Sequence, residues 1–296
     1  MNPKNQINKT LGISESITNI IMEVFKMARE FYQKAFDEVE LYGKVDVPEQ
    51  PKGVIVIVHG LCEHQGRYDY VTQYLMEQGF KIYRFDHRGH GRSKGQRAYY
   101  ENREIIIEDV NIFVDLALKE NPNLPVFLLG HSMGGYAVSC YGTKYPGKVK
   151  GIIMSGAVTR DNKGLTKMIP DGLDPLTYVD NQLADGVCSD KAVVEAYVND
   201  LFVEKKISVG LFYSLKAGHK WLKENAEKFS DPVILLHGAE DGLVDEKDSR
   251  EFFSEIKSID KTLFIYSGLY HEILNEPSKD KILGHITEWL NERISN

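Results

Sequence analysis

Ser132 lies at the centre of the sequence G-H-S-M-G-G, which spans residues 130–135. An apolar run at 126–129 precedes it and a helix-like segment at 136–145 follows it, so the order is strand, sharp turn and helix. In this context a G-x-S-x-G pattern exposes the serine hydroxyl at the end of a strand. The following helix directs its positive N-terminal end at any negative charge that develops there. The motif therefore predicts that Ser132 is a nucleophile.

A serine nucleophile needs a base to take its proton and a carboxylate to orient that base. With a G-x-S-x-G turn, the acid comes next along the chain and the histidine comes last, each just after a strand. Asp241 follows the apolar run 233–236 and is the predicted acid. Glu240 and Asp245 lie in the same turn and are alternatives.

The predicted base is His271, because it follows the last strand-like run, 262–266. The sequence contains nine histidines. Four others lie on a sharp turn or at positions more typical of packing: His131, His219, His237 and His285. The sequence therefore predicts a catalytic triad of Ser132, Asp241 and His271.

Ester or amide hydrolysis also requires N–H donors for the oxyanion of the tetrahedral intermediate. One donor is expected to be the backbone N–H of Met133, directly after the serine. The second is expected from the loop after the early strand 54–58, where Gly60 permits a turn and Leu61 follows. Met133 and Leu61 are thus the predicted oxyanion hole.

Polar residues follow that loop at Glu63, His64 and Arg67. They could bind a polar substrate group, but bracing of the loop through internal hydrogen bonds and ion pairs is favoured. The run 86–93, D-H-R-G-H-G-R-S, is interpreted as a structural turn, since its histidines lack a metal-ligand spacing. The proposed chemistry needs no metal and no cofactor, so neither is predicted.

The elements that must position these residues alternate along the chain. Six strands are predicted, at 54–58, 80–85, 126–129, 149–154, 233–236 and 262–266, and five helices, at 68–78, 104–120, 136–145, 247–256 and 280–294. Such alternation predicts an α/β protein with a mostly parallel sheet and helices on both faces.

One long interval, 158–228, interrupts this alternation with loops and helical patches and contains no convincing sheet strand. Its helical part, 192–222, is interrupted near Asn199 and Gly210. We interpret the interval as a cap inserted over the serine. The core would then comprise residues 37–157 and 229–296. Residues 1–36 would be an N-terminal extension, with an amphipathic helix over 17–36.

Composition restricts the functional class further. A net charge of −7, with no basic stripe, argues against a nucleic-acid partner. The three cysteines, Cys62, Cys140 and Cys188, are scattered and are expected to be free, buried thiols in a reducing compartment. The polar residues 1–16 are not typical of a signal peptide. A cytoplasmic location is therefore predicted.

Three longer motifs resemble one family. They are H-G-x-x-E-H-x-x-R-Y at 59–68, D-x-R-G-H-G-x-S-x-G at 86–95 and L-P-V-F-L-L-G-H-S-M-G-G at 124–135, and K-T-L-x-I-Y at 261–266 ahead of Tyr270 and His271 adds to them. Together they resemble the monoacylglycerol lipases and related lysophospholipases, which are serine hydrolases of the α/β-hydrolase fold. The resemblance runs from about residue 51 to 290, apart from much of the cap.

This resemblance implies an α/β-hydrolase fold with an inserted helical cap, and hydrolysis of a small lipid ester with one acyl chain through an acyl-enzyme. The cap is rich in Asp, Lys and Gly around 160–186, so at most weak contact with a membrane surface is expected. The alternatives are a thioesterase, a peptidase of the proline-iminopeptidase type and a non-catalytic ligand-binding protein of this fold. Head group, acyl length and oligomeric state stay open.

Overall fold

An eight-stranded sheet forms the centre of the protein, in a computed structural model that describes residues 28–295. In chain order the strands are β1 Ala28–Lys34, β2 Glu40–Asp46, β3 Gly53–Val58, β4 Phe80–Phe85, β5 Val126–His131, β6 Gly151–Ser155, β7 Tyr178–Asp180, β8 Lys206–Ser208, β9 Val233–Gly238 and β10 Lys261–Tyr266. The α-helices of the described residues are α1 Asp69–Glu77, α2 Arg103–Glu120, α3 Met133–Lys144, α4 Lys191–Asn199, α5 Val209–Asn225, α6 Glu246–Glu255 and α7 Lys279–Ile294.

The central sheet has the strand order β1-β2-β4-β3-β5-β6-β9-β10. All neighbours from β4 to β10 are parallel, whereas β1 and β2 add an antiparallel edge. Every residue of β3, β5 and β9 is buried, which explains why these strands are continuous apolar runs. The carboxyl ends of β5, β9 and β10 lie at the same edge of the sheet, where such folds carry their sites.

Helices cover both faces of the sheet. On one face the core includes apolar residues of α2, α3, α5 and α6. On the other face, α1 and α7 pack on the sheet through residues such as Leu75, Ile286 and Trp289. The predicted α/β class, with a mostly parallel sheet and helices on both faces, is confirmed.

The helix predicted over 17–36 is wrong from Ala28 onwards, because Ala28–Lys34 forms the edge strand β1. Its backbone pairs along its whole length with β2, another strand that the sequence did not predict. Phe31 packs against Phe113 of α2. The apolar spacing of this segment fits a helix as well as a strand, and the segment forms a strand. The central sheet therefore includes Ala28–Lys34, which lie before the predicted core boundary at residue 37. The rest of the predicted helix, 17–27, lies outside the described residues.

The insertion between β6 and β9 contains α4, α5 and two strands that the sequence did not predict. Strands β7 and β8 form a separate antiparallel pair of three residues each. Helix α4 ends at Asn199 and α5 begins at Val209, so the helical part is interrupted between the two predicted positions. A Cβ atom on Gly210 would lie 2.4 Å from Cε2 of Tyr99, so this glycine permits close packing in the first turn of α5.

Two buried carboxylates hold the chain where the insertion begins and just after it ends. At its start, Asp248 of α6 accepts the backbone N–H groups of Arg160 (2.9 Å), Asp161 (2.8 Å) and Asn162 (3.0 Å). Just after its end, Asp231 accepts the N–H of Gly147, a core residue after α3, at 2.8 Å. The start of the insertion is therefore held through its own backbone, whereas the segment that follows it is held through the side chain of Asp231.

Candidate active site

Ser132 occupies the tight turn between β5 and α3, with φ 55° and ψ −116°. A positive φ is uncommon for a residue other than glycine and marks local strain. Neighbouring glycines make the turn possible: a Cβ on Gly130 would lie 2.3 Å from the Gly134 carbonyl oxygen, and one on Gly134 2.0 Å from that of Val58. The Ser132 N–H donates to the Ser155 carbonyl of β6 at 2.9 Å. The sheet thus holds the serine in its strained conformation.

Asp241 lies in the turn after β9, and its carboxylate is fully occupied by donors. Oδ1 accepts the backbone N–H groups of Leu243 and Val244, both at 2.8 Å. Oδ2 lies 2.7 Å from Nδ1 of His271. Of the two alternative acids, Glu240 is exposed, and Asp245 caps α6 by accepting the Lys247 N–H. Among the three carboxylates, it is Asp241 that the structure brings to His271.

His271 follows β10 and is buried. Burial would lower its pKa, but the charge of Asp241 and the hydrogen bond to it outweigh that effect and raise the pKa above the usual 6.5. Burial likewise opposes ionisation of Asp241, yet the charge of His271 and the hydrogen bonds from His237 and His271 hold the pKa of Asp241 well below its usual range. Because Nδ1 donates to an ionised carboxylate, Nε2 is the basic nitrogen of His271.

Several of the predicted site residues line one small cavity of about 30 Å³. Its lining includes Ser132, His271, Leu61 and Met133. A Cβ on Gly60 would lie 3.1 Å from Cβ of Ser132, so a glycine there lets the loop after β3 approach the serine closely. The two predicted oxyanion residues therefore share a cavity with the serine and the histidine.

Glu63 and Arg67 connect that loop to the residue after His271. Glu63 Oε1 accepts the Gly60 N–H at 2.6 Å, and its Oε2 accepts from Arg67 at 2.8 Å. Arg67 also donates to both carboxylate oxygens of Glu272, at 2.5 and 2.8 Å. Burial raises the pKa of the Glu63 carboxyl, but the charge of Arg67, together with His131 and the hydrogen bonds from Tyr68 and Gly60, outweighs burial and lowers this pKa. Both carboxylates line the cavity, although their contacts with Arg67 fix the loops.

His64 links the same loop to the cap. Its Nδ1 accepts the Gly66 N–H at 3.2 Å, so Nε2 carries the proton and donates to Oδ2 of Asp200 at 2.9 Å. Asp200 directly follows α4 in the insertion. The contact therefore joins the loop after β3 to the cap.

The segment 86–93 also makes structural contacts. Asp86 accepts the N–H groups of Gln65 and Arg92, both at 2.8 Å. His87 donates its backbone N–H to Nε2 of His59 at 2.9 Å. Burial lowers the pKa of His59, His87 and His90. Within residues 28–295, no group of three or more His, Cys, Asp or Glu side chains is arranged to hold a metal ion.

The sequence predicts only a packing role for His237 and does not single out Glu272. His237 Nε2 lies 3.1 Å from Oδ2 of Asp241, the oxygen that His271 also contacts. Glu272 receives the paired donors of Arg67. Their proximity to Asp241 and His271 in sequence was the available signal, but it does not indicate which side chains meet.

A second, larger cavity of about 510 Å³ lies within the cap. Leu165, Leu183 and Leu243 line both this cavity and the one at Ser132. Most of its other lining is apolar and includes Met168, Ile169, Val179, Ile207 and Phe212. An apolar chamber therefore adjoins the site.

All three cysteines are buried and unpaired, as predicted. Cys62 adopts φ 66° beside the Leu61 turn, and its carbonyl accepts the N–H of Glu204 in the cap at 2.8 Å. Cys62 is thus a packing residue of the loop. Among residues 28–295, no helix combines the length and the apolarity that a membrane crossing requires.

Comparison with known proteins places this geometry in a family. A family model described as "Serine aminopeptidase, S33" matches residues 49–278. A monoacylglycerol lipase of Mycolicibacterium smegmatis is 36% identical over 247 residues, which cover 81% of this chain and 88% of that protein. Monoglyceride lipase of Homo sapiens is 30% identical over 261 residues, covering 83% and 84%. A crystal structure of Paleococcus ferrophilus monoacylglycerol lipase superposes with a TM-score of 0.76 at 31% identity, covering 86% of this chain and 99% of that one.

The strain at Ser132 predicts an unusual effect on stability. Ser132→Gly is expected to raise the free energy of unfolding by about 1 kcal/mol, because glycine adopts a positive φ without steric cost. Ser132→Ala keeps the Cβ atom and is expected to stay within about 0.5 kcal/mol of the wild type. Urea denaturation of the three proteins measures the difference. Equal midpoints for the glycine and alanine variants would show that the turn stores no such strain.

Proposed function

The chain belongs to the serine aminopeptidase S33 family of hydrolases, and within it to the monoacylglycerol lipase type of α/β-hydrolase, and from this premise we propose that it hydrolyses carboxylic esters of single-chain lipids. Monoacylglycerols and lysophospholipids are the substrates that we propose. The observation that carries the proposal is that His271, hydrogen-bonded to Asp241, lines one cavity with Ser132 next to an apolar chamber in the cap.

We propose that hydrolysis proceeds through an acyl-enzyme. Ser132 Oγ attacks the ester carbonyl carbon while Nε2 of His271 takes the hydroxyl proton. The N–H groups of Leu61 and Met133 stabilise the oxyanion. His271 then returns the proton to the departing alcohol, and the C–O bond to that alcohol breaks. A water molecule, deprotonated by His271, attacks the acyl-enzyme and releases the fatty acid and free Ser132.

The charge of Asp241 supports each step in which His271 becomes positive. Its carboxylate stays ionised because four donors replace the water that burial removes. An ionised partner stabilises the imidazolium that forms during attack, and it also fixes which nitrogen of His271 is basic. Loss of this charge in comparable triads lowers kcat by about 10⁴-fold.

The acyl chain is proposed to pass between Leu165, Leu183 and Leu243 into the cap chamber. Burial of apolar surface contributes about 0.8 kcal/mol for each methylene. The chamber is lined mostly by apolar side chains and its volume is about 510 Å³. These features favour one long acyl chain over a short or charged acyl group.

Glu63, His64 and Arg67 are proposed to act by bracing the loops and not by binding the head group, because their polar atoms already have partners on the protein. The same contacts disfavour the aminopeptidase alternative. Recognition of a substrate ammonium needs a carboxylate that can pair with it, and Glu63 and Glu272 are both paired with Arg67. We also propose a cytoplasmic location, which the three unpaired thiols support.

The triad assignment predicts distinct results for two carboxylates. Ser132→Ala and Asp241→Asn are expected to lower kcat on p-nitrophenyl butyrate by at least about 10³-fold, whereas Asp245→Asn should retain most of it. Labelling by a fluorophosphonate probe should disappear in Ser132→Ala. An active Asp241→Asn beside an inactive Asp245→Asn would mean that the acid is Asp245.

The raised pKa of His271 predicts the pH dependence of the reaction. His271 accepts a proton only in its neutral form, so kcat/KM should fall as the pH decreases through the pKa of this residue. Because that pKa lies above 6.5, the midpoint of the acid limb is expected above pH 6.5. Initial rates with p-nitrophenyl butyrate across the neutral range give the midpoint. A midpoint well below 6.5 would contradict the assigned base.

The proposed acyl path predicts a change in chain-length preference. Leu183→Trp should narrow the passage and lower kcat/KM by about fourfold for each methylene that can no longer enter. Rates on p-nitrophenyl esters from acetate to palmitate would test this, with Leu173→Trp on the exposed cap surface as the control. Unchanged rates on the long esters, with acetate also unchanged, would place the acyl chain elsewhere. Monoolein, a lysophospholipid and a proline naphthylamide would then rank the substrate classes.

A further inference from the structure

Two imidazoles share one oxygen of the Asp241 carboxylate. Oδ2 lies 2.7 Å from Nδ1 of His271 and 3.1 Å from Nε2 of His237. We propose that His237 is a positioning residue for ester hydrolysis, which orients the Asp241 carboxylate and limits its basicity toward His271. The proposal rests on the proposed function, since it assigns His237 a role in that same reaction.

The contacts of His237 determine which of its nitrogens carries a proton. Nε2 faces two acceptors, Oδ2 of Asp241 at 3.1 Å and the carbonyl of Val244 at 3.2 Å. A ring nitrogen between two acceptors must carry a hydrogen. Nδ1 lies 2.7 Å from Oγ of Ser249 in α6, and a hydroxyl can donate to it. The two acceptors at Nε2 therefore select the form of His237 that donates to Asp241, and the Ser249 hydroxyl satisfies Nδ1 in that form.

The four donors around Asp241 fix both the position and the plane of its carboxylate. Two backbone N–H groups hold Oδ1, and the two imidazoles hold Oδ2. Without His237, one lone pair of Oδ2 would lose its partner in a site from which water is excluded, and the carboxylate could rotate about its side chain. The Nδ1–H of His271 would then donate to an acceptor whose position varies, and Nε2 would be oriented less accurately toward Ser132.

His237 acts at a distance from the substrate. It is completely buried, and neither the cavity at Ser132 nor the cap chamber is lined by it. Hydrogen bonds to a charged group strengthen in such surroundings, because little solvent competes for the carboxylate. A change at His237 should therefore alter kcat and the pKa of His271 while KM stays the same.

The direction of the pKa change follows from the charge on Oδ2. Removal of a donor leaves the carboxylate more basic, so it holds the imidazolium form of His271 more strongly and the acid limb moves to higher pH. Other titratable groups that face His271 are His131, whose ring lies 4.7 Å away, and Glu63 and Glu272, which are paired with Arg67. His131 contacts Ser155, and the two carboxylates contact Arg67, so these pairings do not depend on the side chain at position 237.

The test compares His237→Leu with His237→Gln on p-nitrophenyl butyrate. Leucine removes the donor, and kcat is expected to fall about 10- to 100-fold, as for loss of a hydrogen bond to a charged group. The midpoint of the acid limb should rise and KM should stay within about twofold. Glutamine can place an N–H near the position of Nε2, so it should restore the wild-type midpoint and most of kcat. The proposal would be overturned if His237→Leu lost thermal stability but kept the wild-type kcat and showed an unchanged or lowered midpoint of the acid limb.

A second pair of variants keeps the test valid if His237→Leu does not fold. Ser249→Ala removes the partner of Nδ1 and should lower kcat at constant KM, whereas Ser254→Ala, on the exposed side of α6, should match the wild type. Wild-type kcat in Ser249→Ala would overturn the role of the Ser249–His237 contact. Fluorophosphonate labelling of Ser132 and wild-type esterase activity are measured in parallel. Failure of these two rejects the proposed function, whereas their success beside unaffected variants rejects only the role of His237.

Discussion

A carboxylate that leaves water costs several kcal/mol unless new donors replace its hydration, and Asp241 is such a group. Its side chain is almost completely buried, and two backbone N–H groups and two imidazoles surround its oxygens. The turn after β9 supplies both backbone donors, the N–H groups of Leu243 and Val244. The turn after β10 supplies His271, and the raised pKa of that residue is the consequence at the site. The position of the base thus depends on how one buried charge is satisfied.

The loop after β3 connects the site to the cap. Glu63 accepts the N–H of Gly60 in this loop, and Arg67 connects Glu63 to Glu272, the residue after His271. The Cys62 carbonyl accepts from Glu204 of the cap. These contacts place polar side chains next to the cavity without leaving their charges unpaired. They explain why a strongly charged motif can lie beside a site that we propose for a neutral ester.

The inner strands could be predicted from the sequence because each is a continuous apolar run between turn residues, and Ser132 because its motif includes its structural context. The edge strand β1 could not be predicted, since the spacing of Phe31 and Tyr32 fits a helical face as well as a strand. Pairing with β2, which the sequence did not predict either, makes this segment a strand. The spacing left Asp241, Glu240 and Asp245 open, because a turn can present any of three carboxylates. His237 was missed for a related reason: an oxygen shared by two rings is a relation in space, which linear spacing does not encode.

Two buried carboxylates of the core flank the cap, one at the start of the insertion and one just after its end. Asp248 binds the backbone of residues 160–162, and Asp231 binds that of Gly147. Main-chain N–H groups are the same for every residue other than proline, so these attachments place little demand on the sequence of the inserted segment. Evolution can therefore exchange or redesign the cap between these two points while the nucleophile turn and the acid turn stay in place. The same two points define the junctions for chimaeras in which a cap from a relative is joined to this core.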